Sequence, residues 1–405
     1  MSEEKKLVPK LRFPKFRGAE GWTASVLARA CDMQAGKFVA ASNISESNQT
    51  GLFPCYGGNG LRGYTTTHTH DGTYPLIGRQ GALCGNVRLV SGKFHATEHA
   101  VVATPKNAID VGWLYYSLDL LNLNRFATGQ AQPGLSVDVL ENVSLAIPVL
   151  EDEQQKIADC LSSLDELIAA QARKVDALKT HKKGLMQQLF PREGETQPRR
   201  RFPEFRDVGE WAVGLLNQFA QVNPRREKRT DDVKVSFVPM SAVSEDGYLA
   251  SPQMREYGSV KKGFTAFRNN DVIVAKITPC FENGKAALAT GLMDGIGFGS
   301  TEFHVVRASN ACLPEFLFAQ IYSDQFRRLG KASMTGSGGQ QRVPTAFVEN
   351  YLVSIPSLAE QQRIADCLTA LDTLITTATL ELEALKTHKK GLMQQLFPSL
   401  EDVEA

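Results

Sequence analysis

The sequence lacks any apolar run long enough to cross a membrane. A membrane-spanning helix needs about 20 consecutive apolar residues, and no such stretch occurs among the 405 residues. The N-terminal segment MSEEKKLVPK is charged and has no apolar core of the kind that secretory signal peptides carry. We therefore expect a cytoplasmic protein.

Cysteine occurs without the spacing that would give it a structural role. The seven cysteines are scattered along the chain and form no C-x-x-C pair. An odd number with this distribution argues against a disulfide framework and against a thiolate zinc site. We expect reduced, mostly packed cysteines and no metal in this chain.

An excess of charge of one sign is also lacking. The chain has 45 Lys and Arg against 44 Asp and Glu, a formal net charge of +1, whereas a free-standing DNA-binding protein is often more basic. Near-neutrality makes a nucleic-acid partner less expected without excluding it, because local patches can supply the field. The stretch 212–355 is slightly basic, with 16 Lys and Arg against 13 Asp and Glu.

Two segments match motifs of cofactor-binding or catalytic proteins but lack the secondary structure that those motifs require. The run GGNGLRG at 57–63 matches a dinucleotide fingerprint, but TTTHTHDGTYP follows instead of a helix, and Leu83 stands where an acidic residue is needed. The run HATEH at 95–99 matches an inverted zinc-protease pattern that needs a helix, yet it leads into β-rich AVVATP. No phosphate loop and no Asn/Asp-Pro-Pro-aromatic motif occurs. These absences predict a non-catalytic chain.

The chain does contain a long internal repeat. ALKTHKKGLMQQLFP at 177–191 recurs letter for letter at 384–398, and EQQKIADCLSSLDELI from Glu153 matches EQQRIADCLTALDTLI from Glu360. LRFPKFRGAEGW at 11–22 likewise matches RRFPEFRDVGEW at 200–211. The regions between these ends are unlike each other. Shared ends imply a shared scaffold, and unlike middles imply two different ligands or two versions of one ligand class.

The repeated ends predict two long helices, over about residues 152–190 and 359–397. Their apolar residues alternate in spacing between three and four over about five heptads, as in a coiled coil. Gln171, Lys182 and Lys389 interrupt this seam, and such polar residues fix register or direction. The alternative is an ordinary surface helix on each domain. The predicted seam consists of Ile157, Leu161, Leu164, Ile168, Val175, Leu178, Leu185, Leu189, Ile364, Leu368, Leu371, Ile375, Leu382, Leu385, Leu392 and Leu396.

Chain geometry predicts the direction of the two helices. The linker at 191–201 reaches at most roughly 35 Å, whereas each helix would be about 57 Å long. The chain therefore cannot easily return to the start of the first helix before the second variable region begins. We expect antiparallel helices related by an approximate two-fold axis, and between the repeated ends two α+β domains with mixed or mostly antiparallel sheets, because short Val- and Ile-rich runs alternate with glycine turns.

This pattern resembles the DNA-specificity subunit of type I restriction-modification systems. The resemblance is carried by the EQQ-ADCL helix starts, the LKTHKKGLMQQLFP helix ends and the RFPKF and RFPEF leaders, and less specifically by IGRQGALCGNV at 77–87 and GQQRVP at 339–344. It implies an α+β fold with two mixed-sheet target-recognition domains separated by two long antiparallel coiled-coil helices, related by a pseudo-two-fold internal repeat. The corresponding segments are a first target-recognition domain at 1–147, a first spacer helix at 148–191, a linker at 192–200, a second target-recognition domain at 201–355, a second spacer helix at 356–398 and an acidic tail at 399–405.

The resemblance also implies a function. Each variable domain would recognise one half of a bipartite, asymmetric DNA site, while the helices set the spacing and dock two modification subunits. These would use S-adenosylmethionine, and motor-nuclease subunits would use ATP and magnesium, so this chain would need no cofactor of its own. Two alternatives stay open: a specificity subunit of a methylase-nuclease outside type I, and a two-ended scaffold for protein ligands.

Candidate DNA-binding residues follow from the chemistry of the two kinds of contact. Phosphate contacts need Lys or Arg, and base edges need Arg, Asn, Gln, Ser or Thr. For each candidate the alternative is a solvated loop residue. The candidates are Tyr56, Asn59, Arg62, Arg79, Gln80, Lys93, His95, Gln130 and Gln132 in the first domain, and Lys261, Lys262, Lys276, Thr278, Asn283, Lys285, Gln340, Gln341 and Arg342 in the second.

Overall fold

The computed structural model describes residues 7–81, 83–129, 133–226, 228–337 and 339–399. The chain divides into unit 1, formed by residues 1–173 and 379–405, and unit 2, formed by residues 174–378. Two helices of 39 residues contribute to both units, α4 (Glu151–Leu189) and α10 (Leu358–Leu396). Both agree with the predicted helices to within one residue at each end, because Pro191 and Pro398 follow the helix ends closely and disfavour continuation.

The predicted seam residues lie on the packed faces of α4 and α10. Ten of the sixteen are buried and the other six are half-buried. The half-buried ones are Ile168, Leu178, Leu185, Leu371, Leu385 and Leu392. An apolar stripe at this spacing keeps one face of each helix against a neighbour along its whole length.

Within each unit the start of one long helix packs beside the end of the other. In unit 1, Ile157 of α4 shares a hydrophobic core with Leu396 of α10. In unit 2, Leu189 of α4 shares a core with Ile364 of α10. The two helices therefore run antiparallel in both units, as the short linker predicts.

The two lysines that interrupt the seam form matching ion pairs, whereas Gln171 donates a hydrogen bond to Glu381. In unit 1, Lys389 Nζ lies 2.6 and 2.8 Å from the carboxylate oxygens of Asp165. In unit 2, Lys182 Nζ lies 2.6 Å from Oδ1 of Asp372. Lys182 and Lys389 occupy the same repeat position, as do Asp165 and Asp372. Each helix thus supplies one lysine and one aspartate, which fits an antiparallel pair and no parallel one.

The RFP leaders and EQQ helix starts meet in a buried ion pair. Arg12 donates to both oxygens of Glu153 at 2.7 Å in unit 1, and Arg201 donates to both oxygens of Glu360 at 2.9 and 2.6 Å in unit 2. Both glutamates are 1 % exposed. The planar guanidinium matches a carboxylate with two parallel bonds, so the leader is fixed against the first turn of the helix.

The second residue of each EQQ start satisfies backbone groups at the edge of its domain. Gln154 accepts from the Asp110 amide at 2.9 Å and donates to the Ala108 and Pro148 carbonyls. Gln361 does the same for the Leu313 amide and the carbonyls of Ala311 and Pro356. Both side chains are buried, where unpaired backbone groups would be costly. These bonds explain why EQQ is repeated although the domains differ.

The domain of unit 1 is built on a six-stranded sheet in the order β2-β7-β5-β6-β3-β4. β3 and β6 pair in parallel, and the remaining neighbours pair antiparallel. A separate two-stranded sheet joins β1 and β8. The strands are β1 (Thr23–Val26), β2 (Cys31–Ala35), β3 (Phe53–Gly57), β4 (Gly60–Thr65), β5 (His70–Gly78), β6 (Val87–Ala96), β7 (Ala100–Pro105) and β8 (Ser144–Ile147), and the short helices are α1 (Leu27–Ala30), α2 (Val111–Leu120) and α3 (Val137–Glu141).

The domain of unit 2 divides its strands between two four-stranded sheets, β10-β17-β14-β15 and β12-β11-β16-β13, and a two-stranded sheet of β9 and β18. β11 and β16 pair in parallel. The strands are β9 (Ala212–Leu215), β10 (Ala220–Val222), β11 (Lys234–Val238), β12 (Gln253–Glu256), β13 (Thr265–Arg268), β14 (Asp271–Ala275), β15 (Ala286–Leu288), β16 (Ile296–Gly299), β17 (Phe303–Ala308) and β18 (Leu352–Ile355), and the helices are α5 (Leu216–Phe219), α6 (Tyr257–Val260), α7 (Pro314–Ile321), α8 (Asp324–Ala332) and α9 (Thr345–Glu349).

A common frame underlies the two unlike domains. The order β10-β17-β14-β15 corresponds to β2-β7-β5-β6, and every neighbouring pair in both sets is antiparallel. The added strands differ, since β3 and β4 extend the sheet in unit 1 whereas a separate sheet forms in unit 2. The predicted fold class, α+β with mixed sheets, antiparallel long helices and an internal repeat, is confirmed. Within the described residues no helix is both long and apolar enough to cross a membrane.

The buried leader pair gives a stability prediction. Glu153→Ala removes one partner and leaves the Arg12 guanidinium buried without its counter-ion, so we expect a loss on the order of 3 kcal/mol in the free energy of unfolding of unit 1. Urea unfolding followed by a probe in unit 1, such as the fluorescence of Trp22 and Trp113, measures it.

The adjacent residue provides the matched control. Asp152 pairs with Lys15, but both side chains are more than two-thirds exposed, and exposed pairs contribute little. Asp152→Ala should therefore leave the unfolding midpoint nearly unchanged. Equal effects of the two variants would show that the buried pair has no special role.

Candidate nucleic-acid interface

Two loops of unit 1 lie side by side beyond the end of β5. Residues 79–81 bridge to residues 133–135 through backbone contacts of Gln80 with Gly134 and of Gly81 with Pro133. The Arg79 side chain adds a bond from Nε to the Leu135 carbonyl at 3.2 Å. Residues far apart in sequence are thus held together, with the Gln80 side chain exposed.

Unit 2 forms the same arrangement beyond the corresponding strand, β14. Residues 276–285 bridge to residues 339–342 through Ile277 and Arg342. The Thr278 hydroxyl donates to the Gly339 carbonyl and accepts from the Gln341 amide at 3.1 Å. We call these two arrangements the paired loops. They follow equivalent strands in both domains, although their sequences are unlike.

The β3–β4 hairpin of unit 1 packs directly against its paired loops. A Cβ atom on Gly78 would lie 2.4 Å from the Gly58 carbonyl oxygen, so only glycine permits this approach. The turn residue Asn59 is exposed beside this contact. Arg88 is not among the predicted candidates, but it is exposed and lies at the same hairpin, with its Nη2 3.3 Å from where a Cβ atom on Gly60 would be.

The other candidates of unit 1 lie in different surroundings. Arg62 is exposed on β4, and Tyr56 is half-buried with its ring edge-on to Phe94 at 6.0 Å. Lys93 is exposed toward the other end of β6, where its Nζ lies 3.9 Å from Asp71. Gln130 and Gln132 lie outside the described residues.

The prediction that His95 contacts DNA needs a correction, because its side chain is only 5 % exposed. Its Nε2 lies 3.0 Å from the Lys37 carbonyl oxygen and its Nδ1 lies 3.0 Å from the Thr67 hydroxyl. Both ring nitrogens are therefore engaged inside the domain. His95 stabilises the junction of β6 with its neighbours and does not present a polar edge to a ligand.

In unit 2 the paired loops bring most candidates together. Their exposed side chains include Gln340 and Gln341, while Thr278 is half-buried by the loop contact. Arg342 donates to both oxygens of Glu302 at 2.9 Å, which lowers the pKa of that carboxyl. Lys276 is half-buried at the base of the loop, where its carbonyl accepts from the Val343 amide.

Four candidates of unit 2 have other positions or partners. Asn283 donates to Glu245 at 2.9 Å, and Lys285 donates to the Met240 carbonyl at 3.3 Å. Lys261 and Lys262 follow α6 on the second sheet rather than the paired loops, and the Lys261 ammonium pairs with Asp231 at 2.6 Å.

A buried histidine supports the paired loops of unit 2. His304 Nε2 donates to the Val343 carbonyl at 2.8 Å, because a carbonyl can only accept. Nδ1 then accepts from the Asn223 side-chain amide at 3.2 Å. Burial lowers the pKa of His304 below its ordinary value of 6.5. The geometry requires the neutral ring, since a proton on Nδ1 would face the amide donor.

This histidine predicts a pH dependence of stability. The folded-state pKa lies below the unfolded value, so the unfolded chain binds the proton more readily in acid. Neutral His304 contributes fully to the free energy of unfolding above about pH 6.5, and this contribution is lost as the pH falls through the folded pKa. At pH 5 the loss in the free energy of unfolding is at most about 2 kcal/mol. His304→Gln should flatten this loss between pH 7 and pH 5 in urea unfolding of unit 2. His181→Gln, at an exposed histidine of the same unit, serves as the control and should keep the wild-type slope.

Among residues 7–81, 83–129, 133–226, 228–337 and 339–399, no three His, Cys, Asp or Glu side chains are grouped so that they could hold a metal ion.

Comparison with known proteins decides the family. The type I restriction modification DNA specificity domain matches residues 20–180 and again residues 209–387. The chain belongs to this family. The two matches coincide with the two copies of the repeat, and the resemblance stated from the sequence is confirmed.

Individual relatives agree with this assignment. The chain is 39 % identical over 203 residues to the type I restriction enzyme EcoAI specificity subunit of Escherichia coli, a match that covers 49 % of this chain and 34 % of that protein. It is 45 % identical over 142 residues to the EcoprrI specificity subunit of Escherichia coli, covering 35 % of each. These matches thus span only about a third of the relatives' length.

A solved structure shows the same fold. The S subunit of a type I restriction-modification system from M. genitalium superposes with a TM-score of 0.63 over 97 % of this chain and 100 % of that one. Sequence identity is 14 %. At this identity the similarity concerns the fold alone.

Proposed function

We propose that this chain is the non-catalytic, sequence-specific DNA-binding subunit of a type I restriction-modification complex. Each variable domain recognises one half of a bipartite, asymmetric DNA site through its paired loops. The observation that carries this proposal is that equivalent strands, β5 and β14, end in the same pair of loops in two domains of unlike sequence. A common frame with unlike contact residues is what recognition of two different half-sites needs.

The exposed side chains at the paired loops have suitable chemistry. Glutamine amides both donate and accept hydrogen bonds, and arginine donates a planar fork, so both types can contact base edges in the major groove. Gln80 and Arg88 supply them in unit 1, and Gln340 and Gln341 in unit 2. The backbone bridges fix the loops independently of these side chains, which keeps the scaffold constant while the contacts vary.

The helices carry the second part of the proposal. α4 and α10 share a long identical segment, and repeated surface of this kind suits two copies of one partner. We propose that they set the spacing between the half-sites and dock two modification subunits, with motor-nuclease subunits joining this core. S-adenosylmethionine, ATP and magnesium would belong to those partners, whose adenine methylation and DNA cleavage this chain directs in the cytoplasm.

Domain exchange tests the assignment of one half-site to each domain. Replacing residues 23–146 with the corresponding region of another family member should change one half of the methylated sequence and preserve the other. Mapping methylated adenines in a host that carries the genes gives the answer. If both halves changed together, the division of labour between the domains would be wrong.

Single loop residues give a finer prediction. Gln341→Ala removes an exposed side chain and leaves the Thr278 and Gly339 loop bonds intact, so it should relax the preference at one position of one half-site. A good side-chain contact contributes about 1–3 kcal/mol of discrimination against a wrong base. Gln80→Ala should relax the opposite half-site. The two variants control for each other in the same methylation assay, and identical changes from both would refute the proposal.

A further inference from the structure

Unit 2 carries a cluster of cationic side chains outside its paired loops. Arg225 and Arg226 are exposed on the segment that follows β10, Lys261 and Lys262 follow α6, and Arg268 ends β13. We call these five residues the basic patch. Of these five residues, only Lys261 and Lys262 are among the candidates predicted from the sequence.

Contacts hold the members of the basic patch together. Arg225, Arg226 and Arg268 line one shallow depression together with Arg307. The Arg226 guanidinium also donates to the Lys261 carbonyl. The eight described residues that line this depression include four arginines and no carboxylate.

Two cations at this site have carboxylate partners among the described residues. Arg307 is engaged by the buried carboxylate of Asp271, with two bonds of 2.7 Å. Lys261 pairs with Asp231 at 2.6 Å, but the Asp231 side chain is 65 % exposed. Exposed pairs exchange readily with water and with competing anions. Arg225 and Arg226 are exposed beside these pairs, where a polyanion can approach their guanidinium groups.

Asn223 fixes the start of this segment beside the paired loops. It adopts a left-handed backbone with φ of 50°, a conformation that asparagine tolerates better than most residues. The backbone amide of Asn223 donates to the Val305 carbonyl at 2.7 Å, and its side-chain Oδ1 accepts from the backbone amide of Val305 at 3.0 Å. Its Nδ2 contacts His304, which holds the Val343 carbonyl at the base of the loops.

We propose that the basic patch binds the phosphodiester backbone of the DNA whose half-site the paired loops of unit 2 recognise. This inference rests on the proposed function. Two adjacent arginines offer bidentate forks that match phosphate oxygens, and backbone contacts of this kind position a protein without specifying sequence. Lys261 and Lys262, which the sequence predicts as DNA-binding residues of the phosphate-contacting type, belong to this patch.

The salt dependence of binding tests the proposal. The double variant Arg225→Gln/Arg226→Gln is compared with the wild-type chain, each in complex with its modification subunits. Fluorescence anisotropy measures affinity between 50 and 200 mM KCl for a duplex that carries the site found by methylation mapping and for a random duplex. Each phosphate contact contributes about 0.9 to the slope of log affinity against log salt.

The expected result is a loss of affinity that is the same for both duplexes. Affinity for both duplexes should fall by a similar factor, about tenfold at the lower salt concentrations, and the slope should decrease in magnitude by about 1 to 2. The ratio between the two duplexes should stay unchanged. The double variant Arg199→Gln/Arg206→Gln removes two exposed arginines from the linker and leader of the same unit and should bind as the wild type does.

Two results would contradict the proposal for the basic patch, and a third would contradict the proposed function. Unchanged affinity and slope in Arg225→Gln/Arg226→Gln would show that the patch does not contact DNA. A loss confined to the site-bearing duplex would make these arginines base-contacting residues instead. A wild-type complex that fails to distinguish the two duplexes would contradict the proposed function itself. Matching thermal unfolding curves for all variants establish that the substitutions, all at exposed positions, leave the fold intact.

Discussion

The antiparallel packing of the two long helices is the constraint on which the rest of the structure depends. It brings the start of one helix against the end of the other in both units, so each domain is attached to residues from both copies of the repeat. The Lys389–Asp165 and Lys182–Asp372 pairs occur at the same repeat positions. A parallel arrangement would separate these partners and leave charged seam residues against apolar neighbours, which is costly.

The repeated leaders complete this attachment in a reciprocal way. The Leu11 amide donates to the Gln395 carbonyl in unit 1, and the Arg200 amide donates to the Gln188 carbonyl in unit 2. Each leader thus bonds to the helix end of the other copy, while its arginine bonds to the helix start of its own copy. This double contact explains why sequence similarity is confined to the ends: the attachment sites must match, whereas the domains between them are free to differ.

The sequence was sufficient for features that depend on local periodicity. Heptad spacing and the following prolines gave the helix bounds within one residue, and the repeat gave the architecture. Features that depend on contacts between residues distant in sequence were harder to predict. The burial of His95 and the exposure of Arg88 are two examples, since neither follows from the neighbours of these residues in sequence.

The division of the chain between the units has a consequence for folding during synthesis. Unit 2 is one continuous stretch, 174–378, whereas unit 1 needs residues from both ends. Phe397 packs edge-on against Trp22 at 5.8 Å and belongs to the same core. Domains usually fold in the order in which the ribosome delivers them, N-terminal first. Here the first domain to emerge must wait with part of its core uncovered until the chain has been made as far as Phe397, so the middle of the chain is able to finish folding before its beginning.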